Sequence, residues 1–283
     1  MTKNAYLILA HNEYEVLQEL VVALDNMHND IYIHIDKNVH NLPNIQAKYS
    51  RLIMLSNRKK VYWGCLEVVE AETALFEYAY KSGIEYEYYH LISGTHFPLI
   101  PISKIEDYFN SVKGKSVVQS IDDSPSAAFK RMGRYHFFLK YYYSTNKLKR
   151  ILFKIQWLVG IRLQIIFGIK RDVSHLAGKA SNWCSLTTEA VEAWLSDIDY
   201  IRNKFRWTFC SDEYVTLSVI KRHNLPVEFC NNMLFQEFYD GRTKTYTISD
   251  FDKLMACGAF YGRKFTKSSL SLIEKIKGQL INN

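Results

Sequence analysis

The chain has 283 residues, 48% hydrophobic and 14% aromatic, enough to bury a large core as one big domain or one domain with an appended lobe. Only 12 Gly and 5 Pro argue against low complexity, and 5 scattered Cys without a CxxC pair argue against a metal knuckle and read as reduced cytosolic thiols. A net charge of +7 suits polyanions, anionic membranes or phosphorylated ligands and does not choose among them.

Residues 5–10 read as a buried strand, too short for a signal peptide or a membrane span. His11-Asn12-Glu13 leads into a helix whose Val16, Leu17, Leu20, Val21 and Leu24 share one face. Asp30 to Lys37 is a β-branched strand ending in Asp36. Strand, helix, strand is a βαβ unit, which predicts a parallel sheet with a right-handed crossover. Ligands of open α/β sheets bind beyond the carboxyl ends of the strands, so His11 and Asp36 fall at the ligand edge. There Asp36 either accepts hydrogen bonds from a ribose or base, or only shapes a turn. No GxGxxG follows the first strand and no GxxxxGK[ST] occurs, so nicotinamide-type Rossmann binding and P-loop chemistry lose their main signal.

A third strand is predicted at 51–55. Val61-Tyr62-Trp63-Gly64-Cys65 is an aromatic turn before a helix over about 66–82, and Trp63 either enters the core, the default, or walls a pocket. A Tyr-rich strand at 85–92 runs into the polar breaker loop Ser93-Gly94-Thr95-His96-Phe97-Pro98-Leu99. A short helix at 102–109 and a strand at 116–120 follow, the latter running into Asp122-Asp123. From about 125 to 175 the pattern changes. Arg131, Arg134 and an aromatic cluster at 141–143 precede a stretch, 147–171, that mixes apolar residues with many bases. A basic, Trp-bearing amphipathic helix can lie on an anionic membrane. Amphipathic helices usually serve cores, so the expectation is a helical excursion packed on the domain with its bases in water.

Strand character resumes at 178–186, Thr187 resembles a helix cap, and a second helix covers about 198–205. Ser211 is then the expected N-cap of a core-packed helix, with Asp212 and Glu213 in its first turn, where the helix dipole favours negative charge. A carboxylate held at the mouth of a rigid helix can act as a general base, and capping alone is the plainer alternative. A strand near 226–229, a stretch around 233–238, a short helix capped by Ser249 and an amphipathic helix to about 280 complete the chain. The paired acids Asp122-Asp123, Asp197-Ile198-Asp199 and Asp250-Phe251-Asp252 do not form an Asp-x-Asp at the end of a buried strand, so no catalytic metal is expected. A diphosphate would then need protein cations, and Lys244, Arg263 and Lys264 are the basic set at hand.

Several blocks together carry a resemblance: Ala5 to Asn12, Ile33-His34-Ile35-Asp36-Lys37, Val61-Tyr62-Trp63-Gly64, Leu91 to Leu99, Ser181-Asn182-Trp183-Cys184-Ser185-Leu186, Asp212-Glu213-Tyr214 and Phe260 to Phe265. In this order, and over nearly the whole chain, they resemble the core-2/I-branching β-1,6-N-acetylglucosaminyltransferase family, which includes peptide O-xylosyltransferases. The resemblance implies a GT-A-like, Rossmann-type, mostly parallel α/β sheet flanked by helices. It implies an inverting, metal-independent glycosyltransferase using a UDP-sugar, with N-acetylglucosamine as the expected sugar and a glycan or glycolipid as acceptor. Glu213 matches the catalytic base, and Lys264 matches a diphosphate-binding base. Lys244 matches another less surely, with Arg242 its competitor, and Asp36 would lie by the uridine. Unlike animal members, the chain shows no anchor, stem or disulfide framework, so it looks like a soluble or peripheral, bacterial-type member.

The resulting expectation is one domain over 1–283, with a nucleotide-sugar half at 1–124, the helical excursion at 125–175 and an acceptor and catalytic half at 176–283. His11, Asp36, Trp63, Lys244, Arg263 and Lys264 are expected on the nucleotide sugar, and Ser93, Gly94, His96, Trp183 and Asp212 around the acceptor or pocket. No cofactor and no nucleic acid are expected. The expected location is cytoplasmic, with 147–171 the segment for any peripheral contact with the inner membrane face. The alternatives are a xylosyltransferase of the same fold and a non-catalytic basic protein that binds membranes or nucleic acid.

Overall fold

The computed structural model describes residues 3–281. β1 (Lys3–Ala10), α1 (Tyr14–Leu24) and β2 (Asn29–Ile35) form the βαβ unit, with β1 and β2 parallel and Ala5 opposite Asp30. β2 is buried along its whole length and β1 along most of it, which is why both are near-continuous apolar runs. Val16, Leu17, Leu20, Val21 and Leu24 are the buried face of α1. β3 (Arg51–Met54), α2 (Glu67–Tyr80), β4 (Tyr86–Ser93), β5 (Phe97–Pro98), α3 (Ile102–Ser111) and β6 (Ser116–Val118) follow. α4 (Pro125–Met132), α5 (Lys147–Ile155) and α6 (Ile161–Ile166) make up the excursion, with a π-helical turn at 156–160 joining the last two. The chain returns through β7 (Ser185–Leu186), α7 (Thr188–Ser196), α8 (Ile198–Phe205) and α9 (Asp212–Arg222). It closes with β8 (Val227–Phe229), β9 (Leu234–Gln236), β10 (Phe238–Tyr239), β11 (Arg242–Thr243), α10 (Phe251–Ala256), β12 (Tyr261–Arg263) and α11 (Leu270–Ile281).

The main sheet has the order β3-β2-β1-β4-β7-β6-β8. β3, β2, β1 and β4 run parallel, as do β6 and β8, while β7 is antiparallel to both its neighbours. Helices cover both faces of this mostly parallel α/β sheet. Leu7, Phe76, Leu91, Trp194 and Tyr214 pack on the α2, α7 and α9 side, and Tyr6, Ile8, Leu17, Ile31 and Phe109 on the α1 and α3 side. A small second sheet, β5-β12-β9, holds a third cluster with α11 around Phe97, Phe265, Leu272 and Ile276. The buried acid of β2, Asp30, is matched by Lys3 Nζ at 2.8 Å and by the hydroxyl of Tyr86 at 2.7 Å, as a charge inside a core requires.

Three expectations change. Residues 178–186 are a strand only at 185–186, with Ala180 bridging Ser120, because β7 is squeezed between β4 and β6 for a few residues only. The cap before α10 is Thr247, in a reciprocal capping box with Asp250, not Ser249. The excursion packs on the domain with only part of its apolar set: Phe153 is buried beside Cys65 and Leu139 with Trp157 against them, and Gln156 and Gln164 also face inward, whereas Leu148, Ile151 and Ile155 are at least half exposed. The glutamines bond the backbone of Tyr135 and add polar contacts to that aromatic seat. Among the described residues the cysteines are all free, and no helix is long and apolar enough to cross a membrane.

Candidate active site

The carboxyl ends of β1, β2 and β4 open on a cavity of about 540 Å³. These strand ends supply His11, Asp36 and Ser93, and also His34. Trp63 and Trp183 form aromatic walls, Asp212 and Glu213 enter from the mouth of α9, and Gln236 and Arg263 come from the second sheet.

Local backbone chemistry brings these blocks together. Gly64 is left-handed, at φ 73°, and a Cβ there would meet the Phe209 ring at 2.7 Å. Glycine therefore lets the Trp63 turn lie against the segment entering α9, where the Gly64 carbonyl accepts the Cys210 N–H at 2.9 Å. Trp63 is 49% exposed and touches Tyr142, Tyr143 and Phe209, so it walls the cavity and does not enter the core. Cys210, also left-handed, turns the chain into α9. Ser211 stands at the N-cap position of α9, as expected, but its backbone angles are already helical, so its side chain makes no cap bond and its buried Oγ has no partner. The Glu213 carbonyl accepts the Ala180 N–H at 2.9 Å, tying the mouth of α9 to the segment that carries Trp183.

Glu213 Oε2 meets Arg131 Nη1 and Lys179 Nζ, each at 3.2 Å, while no contact among the described residues reaches Oε1. Beside it, Asp212 Oδ1 is buried without a partner. Burial, reinforced by the Glu213 charge, pushes the Asp212 carboxyl up to about 7. Behind Asp212 lies Glu72 of α2, wholly buried; burial and then Asp212 raise its carboxyl well above the ordinary range, and Asn182 Nδ2 donates to its Oε1 at 3.2 Å.

The opposite wall is cationic. Arg263 ends β12, and burial lowers its pKa with no acid to offset it. Its Nη1 donates to Gln236 Oε1 at 3.4 Å, its guanidinium lies 5.5 Å from the Trp183 ring, and its buried Nε has no partner. Lys264 is outside the cavity lining, but its charge reaches His11; desolvation and then Lys264 lower the His11 pKa. Lys264 forms no ion pair among the described residues, whereas Lys244 is matched by Asp250 at 2.5 Å and Glu237 at 3.7 Å. Arg242 is exposed on β11.

Two other expected residues stand behind the lining. His96 packs edge-on against Trp183, with ring centroids 5.0 Å apart, and burial holds its pKa far down. Gly94 lies under β1, where a Cβ would meet that of Ala10 at 2.8 Å. Of the residues read from the sequence, the cavity thus collects His11, Asp36, Trp63, Ser93, Trp183, Asp212, Glu213 and Arg263, and leaves Gly94, His96, Lys244 and Lys264 outside its lining. Sequence reasoning missed Arg131, Lys179, His34 and Gln236 as site residues. His34 was legible as a strand-end neighbour of Asp36; Gln236 sits opposite Arg263 only through the register of β9 and β12. Among the described residues, no group of three or more His, Cys, Asp or Glu side chains gathers as metal ligands do. Asp197 instead binds Arg222 and His223, and Asp123 accepts the Tyr214 hydroxyl.

The sequence profile of the core-2/I-branching enzymes matches residues 4–253. The chain belongs to this family. It is a glycosyltransferase, and the match runs from β1 into α10 and so includes both carboxylates of the cavity. No curated protein matches the chain. Among solved structures, mouse xyloside xylosyltransferase 1 in its apo form is similar at 7% identity and a TM-score of 0.40, over 93% of this chain and 97% of that one. In this core-2/I-branching enzyme, Glu213 and the unmatched Arg263 line one cavity.

Proposed function

We propose that this enzyme transfers a sugar from a UDP-sugar to a hydroxyl of a glycan or glycolipid, with inversion and without a metal. N-acetylglucosamine is the expected sugar. The carrying observation is Arg263, a largely buried guanidinium in the cavity wall with no carboxylate to match it. An unmatched buried cation is costly, and a diphosphate supplies the missing charge and two or more acceptors. Lys264, also unpaired among the described residues, adds a second charge on that side. Asp36, whose Oδ1 already accepts the Asn38 N–H at 2.8 Å, keeps acceptor capacity for the nucleoside.

In the proposed step, Glu213 takes the proton of the acceptor hydroxyl. The acceptor oxygen forms its bond to C1 as the C1–O bond to the diphosphate breaks on the opposite face, and UDP leaves with the electron pair. Arg131 and Lys179 hold Oε2 and fix the carboxylate, so Oε1 is the oxygen available as base. Arg263 and Lys264 stabilise the charge that develops on the leaving group.

The test is a thermal-shift panel of UDP, UDP-N-acetylglucosamine, UDP-xylose and GDP-mannose, each with and without EDTA. A ligand that binds only the folded state raises the melting temperature. Stabilisation by uridine compounds that survives EDTA is the expected result, with the largest shift from UDP-N-acetylglucosamine. Stabilisation lost in EDTA would overturn metal independence, and a larger shift with UDP-xylose would reassign the donor.

A further inference from the structure

α5 and the turn after it seat only Phe153 and Trp157 among their apolar residues, against Leu139, Tyr142 and Phe209. Gln164 accepts the Tyr135 N–H through Oε1 at 2.8 Å and donates to the Tyr135 carbonyl at 2.9 Å, and Gln156 donates to the same carbonyl at 3.3 Å. The inward side is thus two aromatic rings and two glutamines, and it uses up few of the apolar residues of the segment. On the other side, Leu148, Ile151, Leu152, Ile155, Val159 and Ile166 recur at helical spacing and are 49–73% exposed. A contiguous apolar row of that length in water marks a surface that something covers.

Charge decides what covers it. Residues 124–171 carry 11 of the chain's 36 Lys and Arg and none of its 29 Asp and Glu, so the remainder, with 25 bases against 29 acids, is net −4. Lys147, Lys149, Arg150, Lys154 and Arg162 are all exposed around the apolar row. A second copy meeting this face across a two-fold axis would set like charge against like charge. An anionic bilayer supplies both an apolar interior and diffuse negative charge. With no helix among the described residues long and apolar enough to cross, the geometry is that of a helix lying in the interface plane.

The face is also joined to the active cavity. A groove of about 750 Å³ starts at Val61, Trp63 and Tyr143, which rim the cavity as well, and reaches Lys149 on α5. We infer that α5 and α6 dock the enzyme on an anionic lipid surface, with the cavity mouth beside that surface.

The experiment is co-sedimentation with vesicles of phosphatidylcholine alone or with one part in three phosphatidylglycerol, at low and high salt. The full chain should bind the anionic vesicles, weakly bind the neutral ones, and release as salt rises. Each basic residue near the surface contributes roughly fivefold, so the triple variant K149E/R150E/K154E should lose at least about a hundredfold in partitioning. I151Q/I155Q/I166Q should lose the salt-resistant part. The residues changed are exposed, so the thermal shift with UDP should be unaltered and serves as the check on folding. Failure of the wild type to bind anionic vesicles, or equal binding by both variants, overturns the inference. A dimer in solution that I151Q/I155Q/I166Q dissolves would assign the face to a second copy and overturn it too. Vesicle binding without any UDP shift would sink the donor reading and leave the docking face standing.

Discussion

Asp212→Asn tests whether the mouth of α9 holds a carboxyl poised near neutrality. Asp212 Oδ1 is buried without a partner, and burial together with Glu213 raises the group from 3.8 to about 7. The folded protein therefore binds this proton more tightly than the unfolded chain does. The stability contributed is complete below the unfolded value and is lost as pH rises through the folded one. At about 1.4 kcal/mol per pH unit, wild type loses about 2.5 kcal/mol from this group between pH 5 and pH 8. Asparagine does not titrate, so the variant keeps its stability over that range. Burying an amide shifts its absolute stability by a constant, which cancels when the two pH values are compared. Urea unfolding of both proteins at pH 5 and pH 8 gives the double difference directly. The variant should gain about 2.5 kcal/mol on wild type at pH 8 relative to pH 5. A double difference near zero would refute the buried, raised carboxyl and the reasoning built on it.

Arg263→Met removes a guanidinium that no acid matches while keeping apolar bulk against Trp183. Stability without ligand should hold or rise, whereas UDP affinity, read by calorimetry, should fall about ten- to a hundredfold, the worth of lost charge-assisted bonds. A less stable apoprotein with unchanged affinity would make Arg263 structural. Glu213→Gln should abolish transfer and leave UDP affinity within about twofold, because the base acts on the acceptor; equal loss of both would mean that Glu213 only builds the cavity with Arg131 and Lys179. Lys264→Ala should weaken UDP binding more than Lys244→Ala, since Lys244 is already matched by Asp250. The opposite order would reassign the diphosphate side.

The parts of the site that sequence reasoning reached are those with a local signature. The apolar period of 14–24 and the β-branched run of 30–35 specify a βαβ unit, and a parallel sheet then puts His11 and Asp36 at one edge. The helical spacing after Glu213 likewise puts that acid at a helix mouth, and all of 214–220 is buried. The cap position at Ser211 was legible, but the missing side-chain bond was not. Cys210 in the left-handed region is followed by Ser211 with helical instead of extended backbone angles, and the serine side chain makes no cap bond.

What the sequence by itself determined is the period of its longer elements, the ends of the first strands and the family to which the blocks belong. Those signals lie within a few residues of one another and are set by backbone geometry. What only the tertiary structure decided is which charges meet. Arg131 finds Glu213 across 82 positions, and Lys244 is neutralised where Arg263 is not. Asp212 titrates near neutrality because surrounding burial and the charge of Glu213 act on it. The direction faced by 147–166 belongs here too. Its apolar period was plain, but a period does not say which apolar residues find a partner; Phe153 and Trp157 met an aromatic cluster, Gln156 and Gln164 met the backbone of Tyr135, and the rest of the row stayed in water.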